Sequence, residues 1–237
     1  MDPDRTPSGI TRVRAHNPSL LTLDGTNTYV AAGWVIDPGP ADSGHLDAVM
    51  DAAGGRVEGI VLTHDHADHS EGAPVLSAIS GAQVHLPAGD GEIGPFRAIA
   101  TPGHSPDHVC LLLDRVCFTG DTVLGEGSVF IQPGEGSLGA YLASLRRLRE
   151  QDLEALCPGH GPVVWDAHGK LDEYISHRME RERMLLAALD RGLRTRHELL
   201  DAAWDDAAPE LRPAALLTLE AHLEKLRDEN RLPPGVT

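Results

Sequence analysis

The sequence predicts an α/β domain followed by a small helical unit, and three observations predict it. Short apolar, β-branched runs, each closed by Gly or Pro, recur through the first two thirds of the chain. Segments of helical periodicity lie between them. From about Lys170 the strand signals cease and helix-forming residues take over. Strands interleaved with helices give a layered α/β domain. The chain's 237 residues, 41% of them hydrophobic, suffice for one large core and an appendage.

In chain order the runs "TYVAAGWVIDPGP", "VEGIVLTH", "AQVHLP", "FRAIATPGH", "HVCLLLD", "RVCFTGD" and "LEALCPGH" read as strands. "GHLDAVMDAAGG" places Leu46, Val49, Met50 and Ala53 on one helical face, and "LGAYLASLRRLREQ" does the same with Leu138, Tyr141, Leu142, Leu145 and Leu148. Core packing accounts for both stripes. Thr195, just before "RHELLDAAW", has the chemistry of an N-cap. The expected domains are residues 1–177 and 178–237, with a soft junction inside a long helix around Ser176 to Leu189. The terminal "LPPGVT" reads as a frayed tail.

Composition excludes several classes. A net charge of −16 disfavours a general polyanion binder, because nucleic-acid affinity rests on Lys and Arg neutralising phosphates. Residues 1–177 hold 24 acidic against 10 basic side chains, and 178–237 hold 12 against 10. Cys110, Cys117 and Cys157 fit no zinc-ligand spacing and no disulfide framework, so they read as buried thiols in a reducing cytoplasm. "MDPDRTPSGI" carries no leader pattern, and no run is long enough for a membrane span. The expectation is a soluble cytoplasmic protein.

Four predicted strands end in metal-ligand chemistry. "VEGIVLTH" leads to His64, His66, Asp68 and His69, "FRAIATPGH" to His104, "RVCFTGD" to Asp121 and "LEALCPGH" to His160. Strand ends along one side of a sheet converge in space although far apart in sequence. His64 and His66 both reach inward only if the chain has left regular strand for a tight turn, which places Asp68 and His69 at the start of the next helix. Neutral imidazoles with carboxylates suit zinc, and also iron or manganese in the absence of a thiolate. Gly103, Gly120 and Gly159 precede three of these ligands and give the backbone room to turn. Asp65 reads either as a hydrogen-bond partner of a ligand histidine or as a loop stabiliser. The other eight histidines lack this context, although His108 and His177 sit near segments of interest.

The ordered motifs "THDHADH", "TPGHSPDH", "FTGD" and "PGHG" resemble those of the metallo-β-lactamase-fold hydrolases over roughly residues 10–175. The resemblance implies an αββα sandwich with two metal ions at one edge. It assigns His64, His66 and His104 to the first ion, Asp68, His69 and His160 to the second, and Asp121 to the bridge. "NPSLLTLDGTNTYV", "GDTVLG", "YLASLRRL", "SHRMERE" and "HLEKLRDENR" further resemble the branch that contains beta-lactamase-like protein 2, where a small winged-helix-like unit follows the hydrolase domain. That branch implies endoribonucleases and thioesterases among its members.

The expected mechanism is attack by a hydroxide bridging two divalent ions about 3.5–4 Å apart, with no covalent enzyme intermediate. Asp68 is expected to double as ligand and as the group that orients the hydroxide or protonates the leaving group. Asp121 stands where lactamases of the main group carry cysteine, which argues against antibiotic hydrolysis. Neither a basic glutathione-binding cluster nor a flavodoxin-like partner domain is recognisable. Asn27 and Ser128 are expected either to line the substrate pocket or to form turns. The expected substrate is a small acyl compound such as a thioester. Single-stranded RNA is the alternative, favoured by the branch and disfavoured by charge. A third reading makes the C-terminal unit a nucleic-acid or protein binding module, against a structural cap or a homodimerisation element.

Overall fold

The structure is a computed structural model that describes residues 4–237; residues 1–3, where the first expected domain begins, lie outside the described residues. The chain forms two compact units. The first comprises Met1–Thr101, Asp107–Val129 and Gln151–Lys170, and the second Pro102–Pro106, Phe130–Glu150 and Leu171–Thr237. The second unit resumes at Leu171, inside the long helix α5 (Ala167–Asp190). The second unit also takes in an earlier helix, α4 (Leu138–Arg149), because α4 packs on α7 (Arg212–Asp228). Sequence order alone cannot show such a contact.

Two five-stranded mixed sheets make up the first unit. One runs in chain order from β1 (Ile10–Arg14) through β2 (Asn27–Ala31), β3 (Trp34–Ile36) and β4 (Gly59–Val61) to β5 (Val84–His85). β1 to β3 pair antiparallel, and β3 to β5 pair parallel. The run "TYVAAGWVI" is two strands, because Ala32 (φ 48°) and Gly33 (φ 79°) both take the left-handed conformation of a tight hairpin turn. The second sheet has the order β10 (Ala155–Pro158), β9 (Val116–Gly120), β8 (Val109–Leu113), β7 (Phe96–Ala100) and β6 (Gly91–Ile93). There β10 pairs parallel to β9 and the others pair antiparallel.

Period-two alternation explains the core. Tyr29, Ala31, Ile36 and Val61 from the first sheet meet Phe96, Ala98, Leu111, Phe118 and Cys157 from the second. On the other face of the first sheet, Val30, Val35 and Ile60 pack against Leu46 and Val49 of α1 (Ser43–Ala52) and against Ala73 and Leu76 of α3 (Ala73–Ser80). The predicted α1 stripe is thus core. All three cysteines are buried free thiols.

β3, β4, β9 and β10 all finish at the same end of the sandwich. Two backbone hydrogen bonds join the sheets there: Val109 N–H donates to Thr63 O at 2.8 Å and Asn27 N–H to Gly159 O at 2.7 Å.

The second unit is helical apart from its loops. The end of α5 (Ala167–Asp190), α6 (Arg196–Ala203) and α7 enclose Leu189, Leu199, Trp204, Leu219, Leu223 and Leu226. Thr195 caps α6 in a reciprocal box with Glu198, as its sequence predicts. The tail is a correction. Asn230 (φ 57°) turns the chain back after α7, Leu232 and Val236 pack on the helical core, and Thr237 exchanges backbone hydrogen bonds with Arg194 (3.0 Å) and Arg196 (3.1 Å). "LPPGVT" is docked, because its apolar residues find a core to cover. No helix among the described residues is long and apolar enough to cross a membrane.

Candidate metal centre

The chain leaves β4 at Val61, and Thr63 to His66 form the turn that enters the four-residue α2 (Ala67–Ser70), with His66 at its N-cap. Asp68 lies in the first turn of α2 and His69 in its last, as the motif predicts. Asp121 follows β9 and His160 follows β10, one residue beyond Gly159. Gly159 matters for space. A Cβ there would lie 2.6 Å from His69 Cε1 and 2.8 Å from Asp121 Oδ1, so no larger residue leaves these groups in place.

Four donor atoms converge beside it. His69 Nε2 lies 3.3 Å from His160 Nε2, 3.5 Å from Asp68 Oδ2 and 3.4 Å from Asp121 Oδ1. His160 Nε2 lies 3.3 Å from both Asp68 Oδ2 and Asp121 Oδ1. Four ligands held about 2.0–2.1 Å from a tetrahedral ion have their donor atoms about 3.3 Å apart. The observed separations fit that figure. His64, His66 and Asp121 form a neighbouring set, with ligand atoms within 4.8 Å of one another. The His64 ring centroid is 4.5 Å from that of His66 and 4.4 Å from that of His69.

Hydrogen bonds on the far side of each ring fix the tautomers. Asp37 Oδ2 faces His69 Nδ1 at 3.0 Å, and the Gly25 carbonyl faces His160 Nδ1 at 3.3 Å. Carboxylates and carbonyls only accept, so Nδ1 carries a proton and Nε2 is the nitrogen left for a cation or a second proton. Thr63 Oγ1 donates to Asp37 Oδ2 at 2.7 Å and must therefore accept from His64 Nδ1 at 3.0 Å. In the neutral form of each ring the lone pair falls on Nε2, as ligation requires.

Burial penalises charge throughout the cluster, yet opposite charges overcome it. Against that penalty, His69 and His160 hold Asp121 well below the usual carboxylate range, and His160 and His69 lower Asp68. In return Asp121 and Asp37 raise buried His69 well above the ordinary imidazole value, and Asp121 and Asp68 push His160 up to about 9. Such a donor set draws in positive charge, as protons or as a divalent cation. The residues present fit a metal.

The remaining predicted residues have distinct places. His104 sits on Pro102–Pro106 of the second unit, a loop joined at both ends to the first unit by Thr101 and Asp107. Its Nδ1 donates to Phe130 O at 3.0 Å, which leaves the lone pair on Nε2. Asn27 is fully buried and clamps the His160 loop: Nδ2 donates to Pro158 O (2.9 Å) and Gly161 O (2.8 Å). These contacts hold the backbone on either side of His160. Ser128 is exposed. Asp65 is exposed too, and its N–H donates to Asp107 Oδ2 at 3.0 Å, the contact of a loop stabiliser.

Sequence reasoning missed Asp37. It follows β3 at φ 48°, is 2% exposed, and accepts from Thr63 N (2.7 Å), Thr63 Oγ1 and His69 Nδ1. One carboxylate thus orients a ring of each ligand set. An acidic residue directly after a fully apolar strand was the available signal.

The Metallo-beta-lactamase superfamily pattern matches residues 85–160. Beta-lactamase-like protein 2 homolog of Caenorhabditis elegans is 31% identical, over 94% of this chain and 85% of its own. The crystal structure of metallo-beta-lactamase family protein TTHA1429 from Thermus thermophilus superposes with a TM-score of 0.74 at 21% identity, over 94% of this chain and 95% of that one. The crystal structure of TTHA1623 in a di-iron-bound form gives 0.57 at 25% identity, over 66% and 95%. With an α/β fold of two mixed sheets and a His/Asp cluster at their shared end, the chain belongs to the metallo-β-lactamase superfamily of metal-dependent hydrolases, among relatives of beta-lactamase-like protein 2.

Proposed function

We propose that the chain is a dinuclear metal-dependent hydrolase of a thioester or other small acyl substrate. The observation that carries the metal reading is the convergence of His69 Nε2 and His160 Nε2, 3.3 Å apart, each 3.3–3.5 Å from both Asp68 Oδ2 and Asp121 Oδ1. Asp68, His69 and His160 hold one divalent ion, His64, His66 and His104 the other, and Asp121 lies between the sets. His104 enters because its loop is anchored beside β7 and β8 and its ring presents Nε2. Divalent ions in such a site supply Lewis acidity and make water reactive at neutral pH. Zinc suits the donors, and iron is the first alternative given the di-iron TTHA1623.

The protein's own groups do the rest. Asp37, Gly25 and Thr63 keep imidazole lone pairs aimed inward. Asp68 is the most exposed carboxylate of its cluster, with a side chain 31% exposed, so it can pass a proton to the leaving group. The acidic surface tolerates a neutral acyl compound better than RNA.

Metal analysis of purified protein with a substrate panel tests this. About two divalent ions per chain are expected, with thioester hydrolysis lost on chelation and in Asp121→Asn. Salt-sensitive cleavage of single-stranded RNA without acyl hydrolysis would replace the acyl reading.

A further inference from the structure

His108 touches the Asp121 backbone and the His64 ring without belonging to either candidate ligand set. It is 1% exposed, between β7 and β8. The Asp121 backbone N–H donates to its Nε2 at 3.1 Å, so that nitrogen must carry the lone pair. Nδ1 then carries the proton and faces Thr101 Oγ1 at 3.0 Å and Thr122 Oγ1 at 3.2 Å. Its ring stacks on His64, with centroids 4.8 Å apart and planes 29° apart. Gly120 makes room for it: a Cβ there would lie 2.8 Å from His108 Nε2. One flat ring therefore fixes the peptide that aims Asp121 and supports the face of His64.

We propose that His108 is a positioning residue for the metal centre, acting as a neutral acceptor for the Asp121 peptide and as a platform for the His64 ring. The inference rests on the metal reading above. A backbone N–H buried beside an apolar group would lose its partner, and Asp121 would turn to find another. The threonine pair has its own purpose here. By accepting from Nδ1, it selects the one tautomer that can receive the Asp121 N–H.

Cobalt(II) titration followed by visible absorption separates the roles. His108→Phe keeps a flat ring over His64 and removes the acceptor. It is expected to keep the wild-type far-UV spectrum but to bind cobalt(II) about 10–100-fold more weakly, with an altered absorption band. His108→Gln, which restores an acceptor, should recover most of that affinity. Thr101→Val should show a smaller loss in the same direction. Wild-type cobalt(II) affinity and band in His108→Phe, or a Gln variant as weak as Phe, would overturn the proposal. Should the Phe variant fail to fold, unchanged affinity in Thr101→Val would overturn it and a loss there would support it. A wild-type chain that binds no cobalt(II) would sink the metal reading, whereas wild-type binding with unaltered variants would overturn this inference alone.

Discussion

His69 in the first unit and His222 in the second are both completely buried, yet their surroundings are opposite. His69 faces Asp37 on one nitrogen and Asp68, Asp121 and His160 on the other. His222 lies on α7 with the Trp204 ring 5.6 Å away, and neither of its nitrogens has a hydrogen-bond partner among the described residues. The carboxylates raise His69 despite burial. Burial, helped by Arg178 and Lys225, lowers His222 to about 3. Burial alone therefore does not mark a functional histidine. What marks it is a partner of opposite charge on one side of the ring and converging donors on the other.

The largest test of that contrast is His69→Ala. It should release the ion held with Asp68 and His160 and lower hydrolysis at least about 100-fold, beyond what loss of an outer hydrogen-bond partner costs. Ion content by elemental analysis and the hydrolysis rate check it. Two retained ions would erase the distinction.

His222 should fail in the other direction. It is neutral when folded but titrates near 6.5 when unfolded, so the unfolded chain binds more protons as pH falls below about 6.5. Its contribution is intact above that pH and is lost progressively towards pH 3, amounting to about 2 kcal/mol by pH 5. His222→Leu should flatten that slope in urea denaturation and leave ion content unchanged. An equal slope in both proteins would mean that the ring finds a partner.

The smallest effect belongs to Thr195→Ala. Removing the α6 cap should cost about 1 kcal/mol of stability with no change in metal binding. A change in ion content would show that the helical unit reaches the metal chemistry.

The candidate cluster was legible because strand ends carry its residues: "THDHADH", "FTGD" and "PGHG" each follow an apolar run, and the fold brings His and Asp side chains from them within a few ångströms. Thr195 and the α1 and α4 faces were legible for the same local reason. The contacts of Asp37 and His108 were not, although the one directly follows an apolar strand and the other stands near a candidate motif. Their value comes from partners 26 to 32 positions away for Asp37, and 7 to 14 positions away for His108, and nothing in spacing reveals such bonds. The contacts of Asn27 were not legible either, because its amide donates to backbone carbonyls more than 130 positions along the chain, which no local pattern encodes.

Val109 to Thr63 and Asn27 to Gly159 are pinned across the sheets at the end that carries the ligands. Prising the layers apart at that end would strip two main-chain N–H groups of their acceptors, a cost that apolar packing alone does not impose. The loops that carry the cluster are thus tied to one another by the backbone itself, independently of any cation their side chains would hold.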